Sequence, residues 1–200
     1  MTLNAQGYFD HLKAYLNMSY YATYGVDGEI KLREKIDVSL GKKTNIVVVL
    51  KFEGQAFAVK LDKKNSRGNH DPLFHFLDDT GKPWSKRCDF IVFHLRGGRV
   101  NVHCFEFKWE TLSVDNVIAQ LNASAAWCRT LCNAIKNYTN KSKRVYLRKY
   151  VLTRHPNPDP YLDANNKSLN SEQAIRHYHY DEIDGMRIED RENATEEVIS

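Results

Sequence analysis

The sequence lacks a long hydrophobic run and the marks of a secretion signal. No stretch reaches the roughly 18 consecutive apolar residues that a membrane-spanning helix needs. Residues 1–16 do not combine a basic start with an unbroken apolar segment. Internal repeats and low-complexity tracts are missing as well. These absences predict a soluble, cytoplasmic protein that has no membrane partner.

The sequence also has little cysteine, with 4 in 200 residues. Cys88, Cys104, Cys128 and Cys132 fall within stretches typical of strands and a helix, and their spacing is not that of a disulfide framework or a zinc ribbon. Cys128 and Cys132 share a helical face, but zinc would need two further ligands there. We therefore expect reduced, buried thiols.

What the chain does have is an uneven distribution of charge. The formal net charge of +4 divides into +11 for residues 1–154, with 25 basic and 14 acidic side chains, and −7 for residues 155–200, with 4 basic and 11 acidic. A body this basic suits nucleic acid, because Lys and Arg that meet phosphates release condensed counterions. An ordinary solvated surface is the alternative. The acidic segment would cover the basic face or contact a protein partner.

Length and composition predict one domain followed by an extension. Two hundred residues that are 42% hydrophobic can bury a sizeable core. A stretch rich in Pro, Asn and Asp over residues 154–173 marks the end of the compact part. We therefore predict a domain over residues 1–154 and an acidic C-terminal extension over residues 155–200.

Hydrophobic periodicity predicts an alternation of helices and strands. The predicted elements are a helix over 3–21, a second short helix over 27–36, a hairpin over 45–61 that turns at Glu53-Gly54, a hairpin over 87–110, a long helix over 113–137, a strand over 143–153 and a short strand after 173. In the first hairpin, alternation predicts a single apolar face made of Ile46, Val48, Leu50, Phe52, Phe57, Val59 and Leu61.

The second hairpin determines which charges meet. Residues 96–99 read RGGR, which predicts a two-residue turn at Gly97-Gly98, since glycine adopts the positive φ angles that such turns need. Counting outward from this turn, Ile91 faces Cys104 and Asp89 faces Glu106. Lys108 follows one step further on the same face.

Two carboxylates and a lysine therefore close an otherwise apolar face. Directly opposed like charges destabilise a sheet, because their Cβ atoms lie only about 5 Å apart, but a divalent cation makes such a pair favourable. Mg²⁺ is usually held by one or two carboxylates together with water and phosphate oxygens. It binds phosphate and activates water, while a nearby lysine orients that water or offsets developing charge. The residue types thus indicate phosphodiester hydrolysis; a structural ion network through Lys108 is the alternative.

Asp89, followed after the hairpin by Glu106-Phe107-Lys108, resembles the D…(D/E)xK signature of the PD-(D/E)XK nuclease superfamily. The order of elements is similar too, since the acidic residue opens one strand, ExK closes the next, and a long helix and a further strand follow. The resemblance covers residues 57–153. It implies an α/β fold with a restriction-endonuclease-like core, in which helices flank a central mixed β-sheet in an α/β/α arrangement.

The resemblance also implies a cofactor and roles for individual residues. Mg²⁺, with Mn²⁺ as a substitute, would be held by Asp89, Glu106 and the backbone carbonyl of Phe107. Lys108 would be the catalytic lysine, and Gln120 of the long helix would be a further catalytic residue.

In some branches of the superfamily a glutamate of the first helical region assists the metal site. That points to Glu34, or less directly to Glu29. Cys88 stands where many members have proline, and the branch is left unassigned.

The implied function is a metal-dependent nuclease that acts on DNA rather than RNA, in restriction or antiphage defence, recombination or repair. A homodimer would allow both strands of a duplex to be cut. Two alternatives stay open at this point. One is a catalytically inactive nuclease-like module that binds nucleic acid or a protein partner, and the other is a purely structural interaction module.

Overall fold

The computed structural model describes residues 3–22, 28–38, 42–63, 71, 77–78, 80–190 and 194–199. Its α-helices are α1 (Ala5–Tyr15), α2 (Val114–Thr139) and α3 (Tyr180–Ile183). Its strands are β1 (Glu29–Val38), β2 (Lys42–Lys51), β3 (Gln55–Lys60), β4 (Phe90–Arg96), β5 (Arg99–Phe107), β6 (Val145–Thr153), β7 (Ser168–Leu169), β8 (Glu172–His179) and β9 (Glu197–Ile199). None of the helices in these ranges is both long and apolar enough to cross a membrane.

The main sheet has seven strands and mixes both directions of pairing. Its order is β3-β4-β5-β6-β8-β7, and β9 pairs with the beginning of β6. Strands β3, β4 and β5 run antiparallel, whereas β5, β6 and β8 run parallel. The long helix α2 connects the parallel pair β5 and β6, as a crossover between parallel strands requires. The predicted α/β class with a mixed sheet is therefore confirmed.

The acidic C-terminal segment contributes to this same sheet. Strands β7, β8 and β9 all come from residues 155–200, and β8 lies between β6 and β7. Ion pairs join the segment to basic residues of the body: Glu196 pairs with both Arg99 and Arg148, and Glu197 pairs with Arg129.

Hydrophobic cores lie on both faces of the sheet. On one face α1 and α2 pack against inward side chains of β3, β4, β5 and β6. On the other face the antiparallel pair β1–β2 covers the sheet together with the four-residue α3. The structure therefore departs from the expected α/β/α layering on this second face, which two strands and a short helix cover instead of a long helix.

The predicted short helix over residues 27–36 was wrong, because residues 29–36 belong to β1, and residue 27 lies outside the described residues. Its apolar residues recur at every second position, with Ile30, Leu32 and Ile36 on one side. That spacing fits a strand with one buried face, and pairing with β2 supplies its backbone hydrogen bonds.

The predicted hairpin over residues 45–61 was also wrong. Strand β2 pairs with β1, while β3 pairs with β4. The apolar side chains of β2 and β3 therefore enter different cores. Val48 and Leu50 are buried between β1–β2 and the main sheet, whereas Phe57 and Val59 are buried between the sheet and the helices. Gly54 stands where the chain passes from one sheet to the other. Its φ is 101°, and a Cβ at this position would lie only 2.4 Å from the carbonyl oxygen of Leu95, so the turn requires glycine.

Candidate active site

The β4–β5 hairpin has the register that its glycines predicted. Gly97 and Gly98 have φ angles of 55° and 72°, and Arg96 pairs with Arg99 beyond them. At the other end, the pairing runs to Phe90 opposite Phe105. The prediction of this hairpin and its turn is confirmed.

Asp89 lies directly before β4 and is held against the end of β5. The backbone N–H of Phe107 donates to Asp89 Oδ2 at 2.6 Å. The main-chain carbonyl of Asp89 accepts from Leu61 N at 3.0 Å. Because the hydrogen bond to Phe107 ties Asp89 to β5 beside Glu106, the two predicted acidic residues stand side by side.

These acidic residues continue the row of side chains that packs beneath the helices. Ile91 and Phe93 of β4 and Val102 and Cys104 of β5 are all buried in that core. Asp89 and Glu106 follow this row at the strand ends, since side chains alternate between faces. The carboxylates therefore point toward α2, where the next side chains of the site lie.

Lys108 and Gln120 complete a hydrogen-bonded cluster at this strand end. Lys108 Nζ lies 2.5 Å from Glu106 Oε1 and donates to Gln120 Oε1 at 3.1 Å. Gln120 Nε2 in turn donates to the backbone carbonyl of Arg87 at 3.1 Å. The amide of Gln120 thus holds Lys108 from one side and the segment before Asp89 from the other.

The long helix is fixed to this segment by a second contact. The hydroxyl of Ser124, one turn after Gln120, accepts from the backbone N–H of Cys88 at 2.7 Å. Helix α2 therefore positions Gln120 through contacts that do not involve the carboxylates.

All four cysteines are free and buried, as the sequence predicted.

The two carboxylates are almost completely withdrawn from solvent. Glu106 is 1% exposed and Asp89 is 7% exposed. Burial raises the pKa of Asp89 well above its usual value, and the neighbouring charge of Glu106 adds to the effect. Burial likewise raises the pKa of Glu106 to about 7, although the ammonium of Lys108 opposes the shift. The site consequently favours protons on its carboxyls unless another cation neutralises them.

One carboxylate oxygen at the centre of the cluster has no hydrogen-bond partner among the residues that the structure describes. Glu106 Oε1 is bound by Lys108, whereas the buried Glu106 Oε2 receives no hydrogen bond. Leaving a buried acceptor unsatisfied is costly, so this oxygen is suited to bind a water molecule or a cation.

Glu34 contributes to the electrostatics of the cluster, but from a strand rather than a helix. Its charge adds to the upward pKa shifts of Asp89 and Glu106, and its Oε2 forms an ion pair with Lys60 Nζ at 2.7 Å. Glu29, five residues earlier on β1, instead pairs with Lys51 at 3.6 Å. The structure thus brings Glu34 toward the carboxylates and leaves Glu29 at the far end of the strand.

Two further residues near the site were not predicted. The hydroxyl of Tyr180, at the start of α3, donates to the backbone carbonyl of Lys108 at 2.7 Å. Lys60 follows the inward-facing Val59, and its ammonium meets Glu34 on the opposite face of the sheet. No local pattern marks Tyr180, because its contact with Lys108 spans 72 residues.

The donor set suits a hard divalent cation. Within the described ranges no three His, Cys, Asp or Glu side chains form a ready-made metal cluster. Mg²⁺ commonly takes only one or two carboxylates and completes its shell with water and phosphate. Asp89, the unpartnered oxygen of Glu106 and the backbone at Phe107 offer oxygen ligands of this kind. The residues present therefore fit Mg²⁺ or Mn²⁺.

Comparison with known proteins gives no match: no family model, no curated protein and no solved structure matches this chain.

Proposed function

We propose that this protein is a Mg²⁺-dependent nuclease with a restriction-endonuclease-like core, and that DNA is its substrate. The observation that carries the proposal is the buried pairing of Asp89 with Glu106, with Lys108 hydrogen-bonded between Glu106 and Gln120. A fold gains no stability from two adjacent buried carboxyls whose pKa values are raised. Perturbed carboxyls of this kind are typical of functional sites.

Each residue has a defined chemical task under this proposal. Asp89, Glu106 and the carbonyl of Phe107 would hold the divalent ion, which supplies Lewis-acid activation of the phosphate and of an attacking water. Lys108 places its ammonium beside the reacting phosphate and offsets negative charge that develops there. Gln120 is a positioning residue, because its Oε1 accepts from Lys108 Nζ and thereby fixes the direction of the ammonium.

The choice of substrate class rests on charge. Residues 1–154 carry a formal charge of +11, which favours a polyanion through counterion release. The acidic segment neutralises part of this charge through Glu196 and Glu197, which pair with arginines of the body.

A second candidate function is a catalytically inactive nuclease-like module that binds nucleic acid or a protein partner. The observation that favours it is the direct contact of Lys108 Nζ with Glu106 Oε1 at 2.5 Å. In that case the cluster is a structural ion network, and neither a metal ion nor turnover is needed.

The two candidates are separated by a cleavage assay. Purified protein is incubated with supercoiled plasmid, linear duplex, single-stranded DNA and RNA, with Mg²⁺ and then with EDTA. We expect Mg²⁺-dependent cleavage of DNA that Lys108→Ala slows by about 100- to 1,000-fold, the loss typical when one stabilising group is removed. Lys136→Ala, which removes an exposed lysine in the last turn of α2, serves as the matched control.

The nuclease proposal fails if Lys108→Ala cleaves as fast as the parent, or if cleavage persists unchanged in EDTA. Binding to DNA without turnover, unaltered by Glu106→Ala, would support the inactive module instead.

A further inference from the structure

A groove lies between α2 and residues 81–86, the segment that leads to Asp89. Its volume is about 630 Å³, within the range of roughly 300–1,000 Å³ that is typical of ligand pockets. Ala119, Ala123 and Ala126 of α2 line one side with small apolar groups. Each wall contributes one indole ring, Trp84 from the segment and Trp127 from α2.

The tryptophans are only partly buried. Trp84 is 38% exposed, and its indole N–H donates to the backbone carbonyl of Asp78 at 3.0 Å. That hydrogen bond fixes the ring and satisfies its polar edge within the protein. Trp127 is half-buried on the opposite wall. Held, partly exposed aromatic rings are the surfaces on which proteins stack unpaired bases, because every base has a π-face.

The charge of the groove fits a polyanion. Lys82 and Lys86 both line it, and none of the described lining residues is acidic. An apolar peptide would make no use of these two exposed ammonium groups, whereas a nucleic-acid strand has phosphates that can pair with them. Aromatic rings combined with a basic rim are typical of surfaces that bind single strands.

The groove adjoins the candidate active site along both of its walls. Lys86 directly precedes Arg87, whose carbonyl accepts from Gln120 Nε2 at 3.1 Å, and Ala119 directly precedes Gln120. Both walls thus meet at the glutamine that hydrogen-bonds Lys108. A strand whose bases lie between the tryptophans would have its backbone led toward Asp89 and Glu106.

We propose that the groove between Trp84 and Trp127 binds unpaired nucleobases of a single-stranded DNA segment, and so selects single-stranded or locally unwound substrate for the neighbouring carboxylates. This inference rests on the proposed nuclease function and deepens it. Bases inside an intact duplex are stacked on one another and cannot reach the indole rings. The groove therefore discriminates by strand state rather than by base sequence.

The test measures binding without turnover. The Lys108→Ala protein in EDTA is titrated with short oligothymidylate and, separately, with a duplex of the same length, and tryptophan fluorescence is recorded. We expect the single strand to quench the tryptophan fluorescence and the duplex to leave it unchanged. Trp84→Ala and Trp127→Ala, made in this background, should each weaken single-strand affinity by about 5- to 150-fold, the loss of one base–aromatic stack.

Three variants keep the test specific. Trp84→Phe should retain most of the affinity, because a smaller ring still stacks. Tyr138→Ala removes an aromatic side chain that is 92% exposed elsewhere on α2 and should change nothing. Lys86→Ala should lower the slope of log affinity against log salt concentration by about 0.7, as expected for one phosphate contact on a single strand.

The inference is overturned if the duplex quenches as strongly as the single strand, or if Trp84→Ala and Trp127→Ala bind as tightly as the parent. The second result would indicate that the groove serves another occupant, such as an apolar peptide. If duplex DNA is cleaved while no single strand binds, the nuclease proposal stands and this inference falls. If a single strand binds in the groove but no nucleic acid is ever cleaved, the groove's binding role stands and the nuclease proposal falls.

Discussion

The two ends of the β4–β5 hairpin carry charge in opposite ways. At the turn end, Arg96 pairs with Glu53 at 2.6 Å and Arg99 with Glu196 at 2.7 Å. Both arginine side chains are nearly half exposed, and each positive charge has a negative partner from another part of the chain. At the open end, Asp89 and Glu106 are buried beside each other, and the ammonium of Lys108 contacts Glu106.

The exposed ion pairs at the turn end are ordinary surface contacts, whereas the buried carboxyls at the open end are the ones that the proposed function uses. Exposed ion pairs contribute little, typically 0–1 kcal/mol, and water can replace either partner. Two adjacent buried carboxyls cost stability whenever both ionise, because burial and mutual repulsion both favour the neutral form. We infer that the open end is maintained for its ability to hold a divalent cation at a phosphate.

The largest expected contrast is in the pH dependence of stability without divalent ions. The pKa of Glu106 is about 7 in the folded protein against an ordinary value of 4.5. Between these values the native state holds a proton that the unfolded chain has lost, so the free energy of unfolding falls as pH rises. The contribution of Glu106 should fall by about 3 kcal/mol over this window, at about 1.4 kcal/mol for each pH unit. Buried His103 and His177 contribute with the opposite sign, because burial lowers their pKa values and the unfolded chain binds the protons that they lack.

Denaturant titrations in EDTA at several pH values measure this loss. The difference in the free energy of unfolding between the parent and Glu106→Gln isolates the contribution of Glu106 and should change by about 3 kcal/mol from pH 4.5 to 7, whereas Glu53→Gln at the turn end should follow the parent. The same pH dependence in the parent and in Glu106→Gln would contradict the assignment of a raised pKa to Glu106.

The next contrast concerns divalent ions. A cation that binds only the native state stabilises it by about 2.7 kcal/mol when its concentration is 100 times its dissociation constant. We therefore expect Mg²⁺ to raise the melting temperature of the parent at pH 8. Asp89→Asn should abolish the rise, because it removes one of two carboxylates. An equal rise in both proteins would mean that Mg²⁺ binds elsewhere.

The smallest expected effect lies at the turn end. Arg99→Ala removes an exposed ion pair with Glu196, and Arg148 remains to pair with the same carboxylate. The free energy of unfolding should change by no more than about 1 kcal/mol. Urea denaturation of the variant checks this, and a loss of several kcal/mol would show that the turn end is more than a set of surface pairs.

The acidic segment is better studied by such point changes than by deletion. Removing residues from about Tyr161 onward would take away β8, which lies between β6 and β7 in the sheet. Increased DNA binding by a truncated protein would then be hard to separate from unfolding. Substitution of Glu196 and Glu197 leaves the strands in place and tests whether their charge limits binding.

Local sequence signals predicted the part of the site that one hairpin and one helix determine. Gly97-Gly98 specified the register of the hairpin. Counting residues outward from this turn along both strands places Asp89 beside Glu106. Gln120 was named from the resemblance alone, and the structure brings its amide oxygen to 3.1 Å from Lys108 Nζ.

The remaining features depend on contacts between distant segments. Alternation predicted inward and outward faces for β2 and β3, but it could not tell that two different cores receive them. The ion pair of Lys60 with Glu34 arises because β1 covers this face of the sheet, and local alternation does not predict that contact. Tyr180 reaches Lys108 only through the parallel pairing of β8 with β6. Nothing in the sequence near either residue specifies that pairing.

The most direct test of the central claim is a crystal soaked in Mn²⁺ and measured at a wavelength where manganese scatters anomalously. We expect an anomalous peak between the carboxylates of Asp89 and Glu106, and we expect the peak to vanish in Asp89→Asn crystals treated in the same way. Manganese bound only at other positions, with Glu106 still paired to Lys108 alone, would contradict the proposed metal site.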